Sequence, residues 1–151
     1  MVAAERTRWY DRASRALHDA GYRRGGARLT VLELLDSQPC ALSAIEIEDA
    51  LRNRERGARA VSRASVYRIL DELEDLGLVT RLDVGQATVR FEAMREGSGH
   101  HHHLVCDHCG TLTPFTDAEL ERTIQHVSER VPLAVSEHEI VLHGACNNCA
   151  S

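Results

Sequence analysis

Two CxxC pairs, Cys106/Cys109 and Cys146/Cys149, stand 36 residues apart and constrain this chain more than any other feature. A CxxC turn offers two sulfurs to one ion, and zinc takes four thiolates in a tetrahedron, so two such turns complete a closed structural site. The pairs bracket the last third of a 151-residue chain. The ion would tie the end of that region's last strand to its first, making metal binding part of folding. A redox role would need a thioredoxin-like βαβ context, which the pattern lacks, and a disulfide framework belongs to secreted chains. The fifth cysteine, Cys40, stands apart.

Directly before the first pair runs GHHHHLVCDHCG, residues 99 to 110. An internal run that leads into an apolar pair and a CxxC is native sequence, not a terminal tag. If residues 100 to 103 are extended, their side chains alternate between faces. His100 and His102 then point one way, His101 and His103 the other, and one short strand serves two separate metal sites. Glu121 on a following helix and His138 on the last strand would complete a four-coordinate set with the first pair. Glu92, at the end of the strand ahead of the run, is the carboxylate proposed to join the second. His18, His126 and His143 read as surface or packing residues, and His108 as a knuckle filler.

The first half of the chain has a different character. Net charge is −5 overall, which argues against a nucleic-acid partner, yet residues 1 to 82 carry +1 and residues 83 to 151 carry −6. Trp9, Ala13, Ala16, Leu17 and Ala20 recur at helical spacing before Gly21, and Leu29, Leu32 and Leu35 mark a second helix ending before Pro39. Ser43 with Glu46 forms a capping box for a third helix, and RNRERGARA reads as a loop. SRASVYRILDELEDLGLV is the clearest helix, capped by Ser62, with Val66, Ile69, Leu70, Leu73 and Leu76 on one face and Gly77 closing it. VTRLDV and ATVRFEA then form a hairpin around Gly85-Gln86. Helices followed by such a hairpin describe a winged helix-turn-helix, which inserts its last helix, residues 62 to 76, into the DNA major groove.

The fold class is therefore α+β: an N-terminal winged-helix DNA-binding domain over residues 1–92, a polar linker over 93–99, and a small α/β dimerisation and metal-binding domain over 100–151. In the second domain HLVC and GTLTPF read as strands. TDAELERTIQHVSER is a helix opened by a Thr116–Glu119 box, and HEIVLHGAC is the last strand. A composition of 27% charged and 43% hydrophobic residues is globular, and no apolar run reaches the length of a membrane span or signal segment, so a cytoplasmic location is expected.

SVYRILDELEDLGLV, the HHHHLVCDHCG run, FTDAELE, SEHEIVLHGAC and the final CxxC together resemble the ferric uptake regulator family of bacterial metal-sensing repressors. GYRRGGARLTVLELL is similar to that family's join between its first two helices. The resemblance implies a homodimer whose winged helices bind a palindromic DNA operator. It matches Cys106, Cys109, Cys146 and Cys149 to a structural zinc site, and His100, His102, Glu121 and His138 to a second-domain metal site. Glu92, His101 and His103 match an interdomain regulatory site for a second divalent metal, Zn2+ or Fe2+. For DNA, Tyr67 and its neighbours Ser65 and Arg68 match the recognition helix, and Arg23 matches a basic residue that approaches the minor groove. Two departures stand out. Ala41 occupies the position of a common regulatory histidine, with Cys40 beside it, and Gly25 replaces a frequent threonine. Consecutive histidines without aspartate lean towards the zinc-sensing branch, while Glu92 leans towards iron.

Three other readings compete. A peroxide sensor of the same family would oxidise an iron-bound histidine. A zinc-dependent hydrolase would need an open coordination position, and neither HExxH nor the zinc-deaminase pattern occurs. A metal-storage protein has no use for a helix such as that around Tyr67.

Overall fold

The computed structural model describes residues 2–23, 25–54, 61–85, 88–97 and 99–150, with side chains from Trp9 onward. The chain divides into two units, Met1–Ser98 and Gly99–Ser151.

In the first unit, α1 (Val2–Asp19) is followed by α2 (Gly26–Ser37), a two-residue strand β1 (Leu42–Ser43), α3 (Ala44–Arg54) and α4 (Arg63–Asp75). A hairpin of β2 (Val79–Asp83) and β3 (Val89–Ala93) closes the unit. Three helix boundaries have a clear local cause. The Ser43 hydroxyl accepts from the Glu46 amide at 3.1 Å while the Glu46 carboxylate accepts from the Ser43 amide at 2.7 Å, the reciprocal capping box that the spacing predicts. Ser62 caps α4 by accepting from the Ser65 amide. At the other end Gly77 takes φ +67°, where a side chain would be strained, and lets Leu78 donate back to the Leu73 carbonyl at 2.9 Å.

The apolar stripes of the four helices meet in one core. Trp9, Leu32, Ile47, Leu51, Val66, Ile69, Leu70, Leu73 and Phe91 are all buried there. The Trp9 indole donates to the Leu78 carbonyl at 3.0 Å, tying α1 to the segment between α4 and the hairpin. The hairpin is wider than the sequence pattern predicts. β1 pairs antiparallel with β3, so the sheet has three strands in the order β1-β3-β2. Two residues are too short for alternation to reveal a strand. The loop expected over RNRERGARA gives way at its start to α3, which continues to Arg54 and carries an Arg52–Glu48 pair one turn apart. Its remainder, and Gln86 of the hairpin turn, lie outside the described residues.

The second unit is a three-stranded sheet with one helix. β4 (His102–Cys106) lies in the centre, antiparallel to β5 (Leu112–Phe115) and parallel to β6 (Val141–Gly144). The crossover from β5 to β6 runs through α5 (Ala118–Ser128). Asp117, not Thr116, caps α5, its carboxylate accepting from the amides of Glu119 and Leu120 at 2.9 and 2.8 Å. An ionised cap also complements the helix dipole, an advantage that threonine lacks. The last strand is shorter than HEIVLHGAC suggests: it begins at Val141, and just ahead of it the Ile140 carbonyl accepts from the His103 amide at 3.0 Å.

Candidate functional site

The sheet of the second unit delivers the four cysteines to one place. Cys106 ends β4, Cys109 follows in the next turn, and Cys146 and Cys149 occupy the turn after β6. Parallel pairing of β4 with β6 sets Cys106 opposite Gly144, and the Asp107 amide donates to the Gly144 carbonyl at 2.8 Å, so the two turns lie side by side. All four sulfurs fall within 4.8 Å of one another. The amides of Cys146 and Cys109 stabilise the Cys106 thiolate and bring its pKa down to about 6. Hydrogen bonding of the Cys149 thiol to the sulfurs of Cys146 and Cys109, together with burial, pushes its pKa up to about 12. Four sulfurs this close cannot all ionise unaided. A cation is what such a soft donor set accommodates, and thiolate softness favours zinc over calcium or magnesium.

A second cluster gathers His100, His102, Glu121 and His138, with one donor atom from each within 4.8 Å of the others. Glu121 is central. Its carboxylate oxygens lie 2.7 Å from His102 Nε2 and 3.1 Å from both His100 Nε2 and His138 Nε2. The Ile140 amide donates to His102 Nδ1 at 3.2 Å and so aims Nε2 at Glu121. His102 is fully buried against Phe115, their ring centres 5.5 Å apart. Burial works against ionisation of Glu121, but the hydrogen bond with His102 and the positive potential of His100 and His138 outweigh it and hold the carboxyl below its ordinary pKa. Three imidazoles converging on a carboxylate form a nitrogen-and-oxygen set suited to a divalent transition metal.

His101 and His103 pair separately, their ring centres 4.9 Å apart, while His100 and His102 pair at 5.1 Å. His103 is buried, with Nδ1 3.6 Å from a Glu139 oxygen. Glu92 lies in β3 of the first unit and Cys40 follows α2, both half-buried.

The exposed face of α4 carries Arg63, Ala64, Tyr67, Arg68 and Asp71, while Val66, Ile69, Leu70 and Leu73 face the core. Tyr67 is 43% exposed, unusual for a large aromatic residue beside an intact core. The Ser65 hydroxyl is drawn into the cap, accepting from Ser62 at 3.0 Å. Arg23 is exposed between α1 and α2, and its carbonyl accepts from Arg28. Arg63 belongs to the same face but escaped the sequence reading. Its place at the first position of the helix was the available signal. Glu72 anchors α4 from behind through a bidentate pair with Arg28, both contacts at 2.8 Å.

Residues 19–143 match the ferric uptake regulator family. The chain is 30% identical over 141 residues to the ferric uptake regulation protein of Bacillus subtilis, covering 92% of this chain and 93% of that protein. The crystal structure of the Vibrio cholerae ferric uptake regulator is similar with a TM-score of 0.74 at 32% identity, covering 87% of this chain and 98% of that one. The Helicobacter pylori regulator, described as having three functional metal-binding sites, reaches a TM-score of 0.80 at 25% identity, covering 97% of this chain and 94% of that one. A winged-helix unit with an exposed tyrosine, a sheet unit with two convergent donor clusters, and matches of this extent make the chain a member of the ferric uptake regulator family of metal-responsive transcription regulators.

Proposed function

We propose that the protein is a homodimeric repressor that binds a palindromic operator when a divalent metal, zinc or iron, is bound. A structural zinc would be held by Cys106, Cys109, Cys146 and Cys149. A further ion would be held by His100, His102, Glu121 and His138, and the regulatory ion by Glu92, His101 and His103. The observation that carries this reading is the presence of two separate donor clusters in a unit with almost no apolar core. Such a unit has a use for metal beyond any single site.

When bound, a divalent ion supplies positive charge that offsets clustered thiolates and carboxylates. The chain's own residues do the rest. The amides of Cys146 and Cys109 prepare a thiolate at Cys106, and Ile140 fixes the ring of His102. Tyr67 and Arg68 lie exposed on the helix that would enter the major groove, with Ser65 at its cap and Arg23 ahead of α2. Dimerisation is supported by the second unit's surface. Leu104 and Leu142 are register partners on neighbouring strands, 39% and 50% exposed, and α5 buries none of its residues despite Leu120, Ile124 and Val127. A second copy of the chain suits such a face.

Protein retaining its structural zinc, titrated with Zn2+, Fe2+, Mn2+ and Ni2+ against a palindromic promoter fragment, tests the reading. Zinc or iron is expected to raise affinity at least tenfold, with no metal-dependent turnover of simple esters or phosphates. Affinity unchanged by every metal would overturn it.

A further inference from the structure

Arg63 opens α4 in an arrangement that differs from that of a surface arginine. Its Nε donates to Glu48 Oε2 at 2.7 Å, and Glu48, on α3 with its side chain only 10% exposed, also accepts from Arg52 at 2.9 Å. The carboxylate keeps the Arg63 guanidinium firmly charged by raising its pKa. The side chain of Arg63 remains 56% exposed, and among the described residues only its Nε is hydrogen-bonded. The terminal nitrogens lie outside that contact. Four residues along, Tyr67 occupies the next turn of the same exposed face.

Phosphate contact and base contact make different demands on an arginine. On phosphate the side chain acts chiefly as a charge that displaces counterions, and pairing it with a buried carboxylate diminishes that role. A base edge instead rewards a planar fork held in a fixed direction, with two parallel donors for guanine O6 and N7. A clamp on Nε provides such a direction while sparing the outer donors. The N-terminal residues of a recognition helix are also the ones that reach base edges.

We propose that Arg63 reads a guanine in the major groove of each operator half-site, and that Glu48 is the positioning residue that aims its guanidinium. This rests on the DNA-binding reading above and adds a specificity determinant to it.

The test uses the full-length, metal-loaded protein to select duplexes from a random pool, followed by binding titrations at several salt concentrations. The wild type is expected to enrich a two-fold symmetric motif. Arg63→Ala and Arg63→Lys should both lose guanine preference at one position and its symmetric mate while keeping the rest of the motif, with affinity for the selected site down about tenfold or more. Arg63→Lys should retain the wild-type salt dependence, since it keeps the charge and loses only the fork. It also serves as the informative variant should Arg63→Ala fail to fold by circular dichroism. Glu48→Gln should weaken preference at that same position alone. An unchanged motif, or a loss of affinity uniform across sequences with a shallower salt slope, would overturn the assignment. A wild type that enriches no motif would strike the DNA-binding reading itself.

Discussion

Among the described residues, the first unit joins 17 buried apolar side chains into one cluster, whereas the second buries only Val105 and Cys106 of its apolar residues, beside His102 and His103. The first unit therefore has the ordinary source of stability, apolar surface removed from water. The second has histidine rings and thiols where a core should be, and charged or soft donors gain little from burial unless something binds them. One chain thus carries a unit that folds on its hydrophobic pattern and a unit with little apolar core of its own. For a metal-responsive regulator, that division puts the two donor clusters in the part with the smaller apolar core.

The largest expected effect breaks the second unit alone. Cys149→Ser, or stripping the cysteine site with a strong chelator, should collapse the amide spectrum of residues 99–150 towards random coil and leave the first unit's dispersed. Structural zinc in small domains supplies on the order of 10 kcal/mol of folding free energy, far beyond what Val105 and Cys106 can replace. A second unit that stayed fully structured would show that the comparison is misdrawn. The same site carries a pH signature. Cys149, held up at about 12, keeps its proton at neutral pH and must release it on zinc uptake, so affinity should rise with pH by about tenfold per unit for that proton. Below about pH 6 Cys106 also becomes protonated and the dependence should steepen. Calorimetry in buffers of different ionisation enthalpy measures the proton count directly.

The converse experiment removes apolar volume from the first unit. Leu70 is fully buried in α4, and Leu70→Ala should cost about 2–5 kcal/mol of that unit's stability in denaturant unfolding while zinc content stays at the wild-type level. Between the two lies the ion pair behind α4. Arg28 and Glu72 have side chains 19% and 11% exposed, so Glu72→Gln leaves a half-buried guanidinium with a poorer partner, at a cost of about 1–3 kcal/mol. A loss below 0.5 kcal/mol by the same measurement would mean that water replaces the carboxylate without penalty.

Legibility in the sequence followed the same division. The helices of the first unit could be read because each apolar stripe ends in a chemical stop, as Ser62 and Gly77 do for α4. β1 could not, since its two residues belong to the sheet only through β3, where Ser43 pairs with Arg90, 47 positions away. In the second unit, the CxxC spacing and the four histidines pointed to donors, and the structure brings together the cysteines and, separately, His100, His102, Glu121 and His138. The cap of α5 was misread because Thr116 and Asp117 are both good caps, and only the backbone geometry, extended at Asp117, selects between them. Arg63 was hidden for a related reason. Its meaning depends on Glu48, 15 positions earlier and on another helix.

The smallest effect concerns the other cap, and it sharpens the contrast where the well-packed unit carries its proposed DNA-reading face. Ser62 accepts from the Ser65 amide at 3.2 Å and donates to the Ser65 hydroxyl at 3.0 Å, both within the first turn of α4. Ser62→Ala removes an acceptor from a helix end whose amides have no carbonyl partner, which costs about 1 kcal/mol. Because Val66 and Ile69 anchor the helix one turn further in, the loss should fray the first turn without unfolding the unit. Hydrogen exchange should therefore quicken at Ser65 while Leu70 and Leu73 keep their protection. Arg63 and Tyr67 lie on or beside that turn, so operator affinity should fall with it, by less than for Arg63→Ala. Unfolding spread evenly along α4 would instead mean that the cap, and not the core, fixes that helix in place.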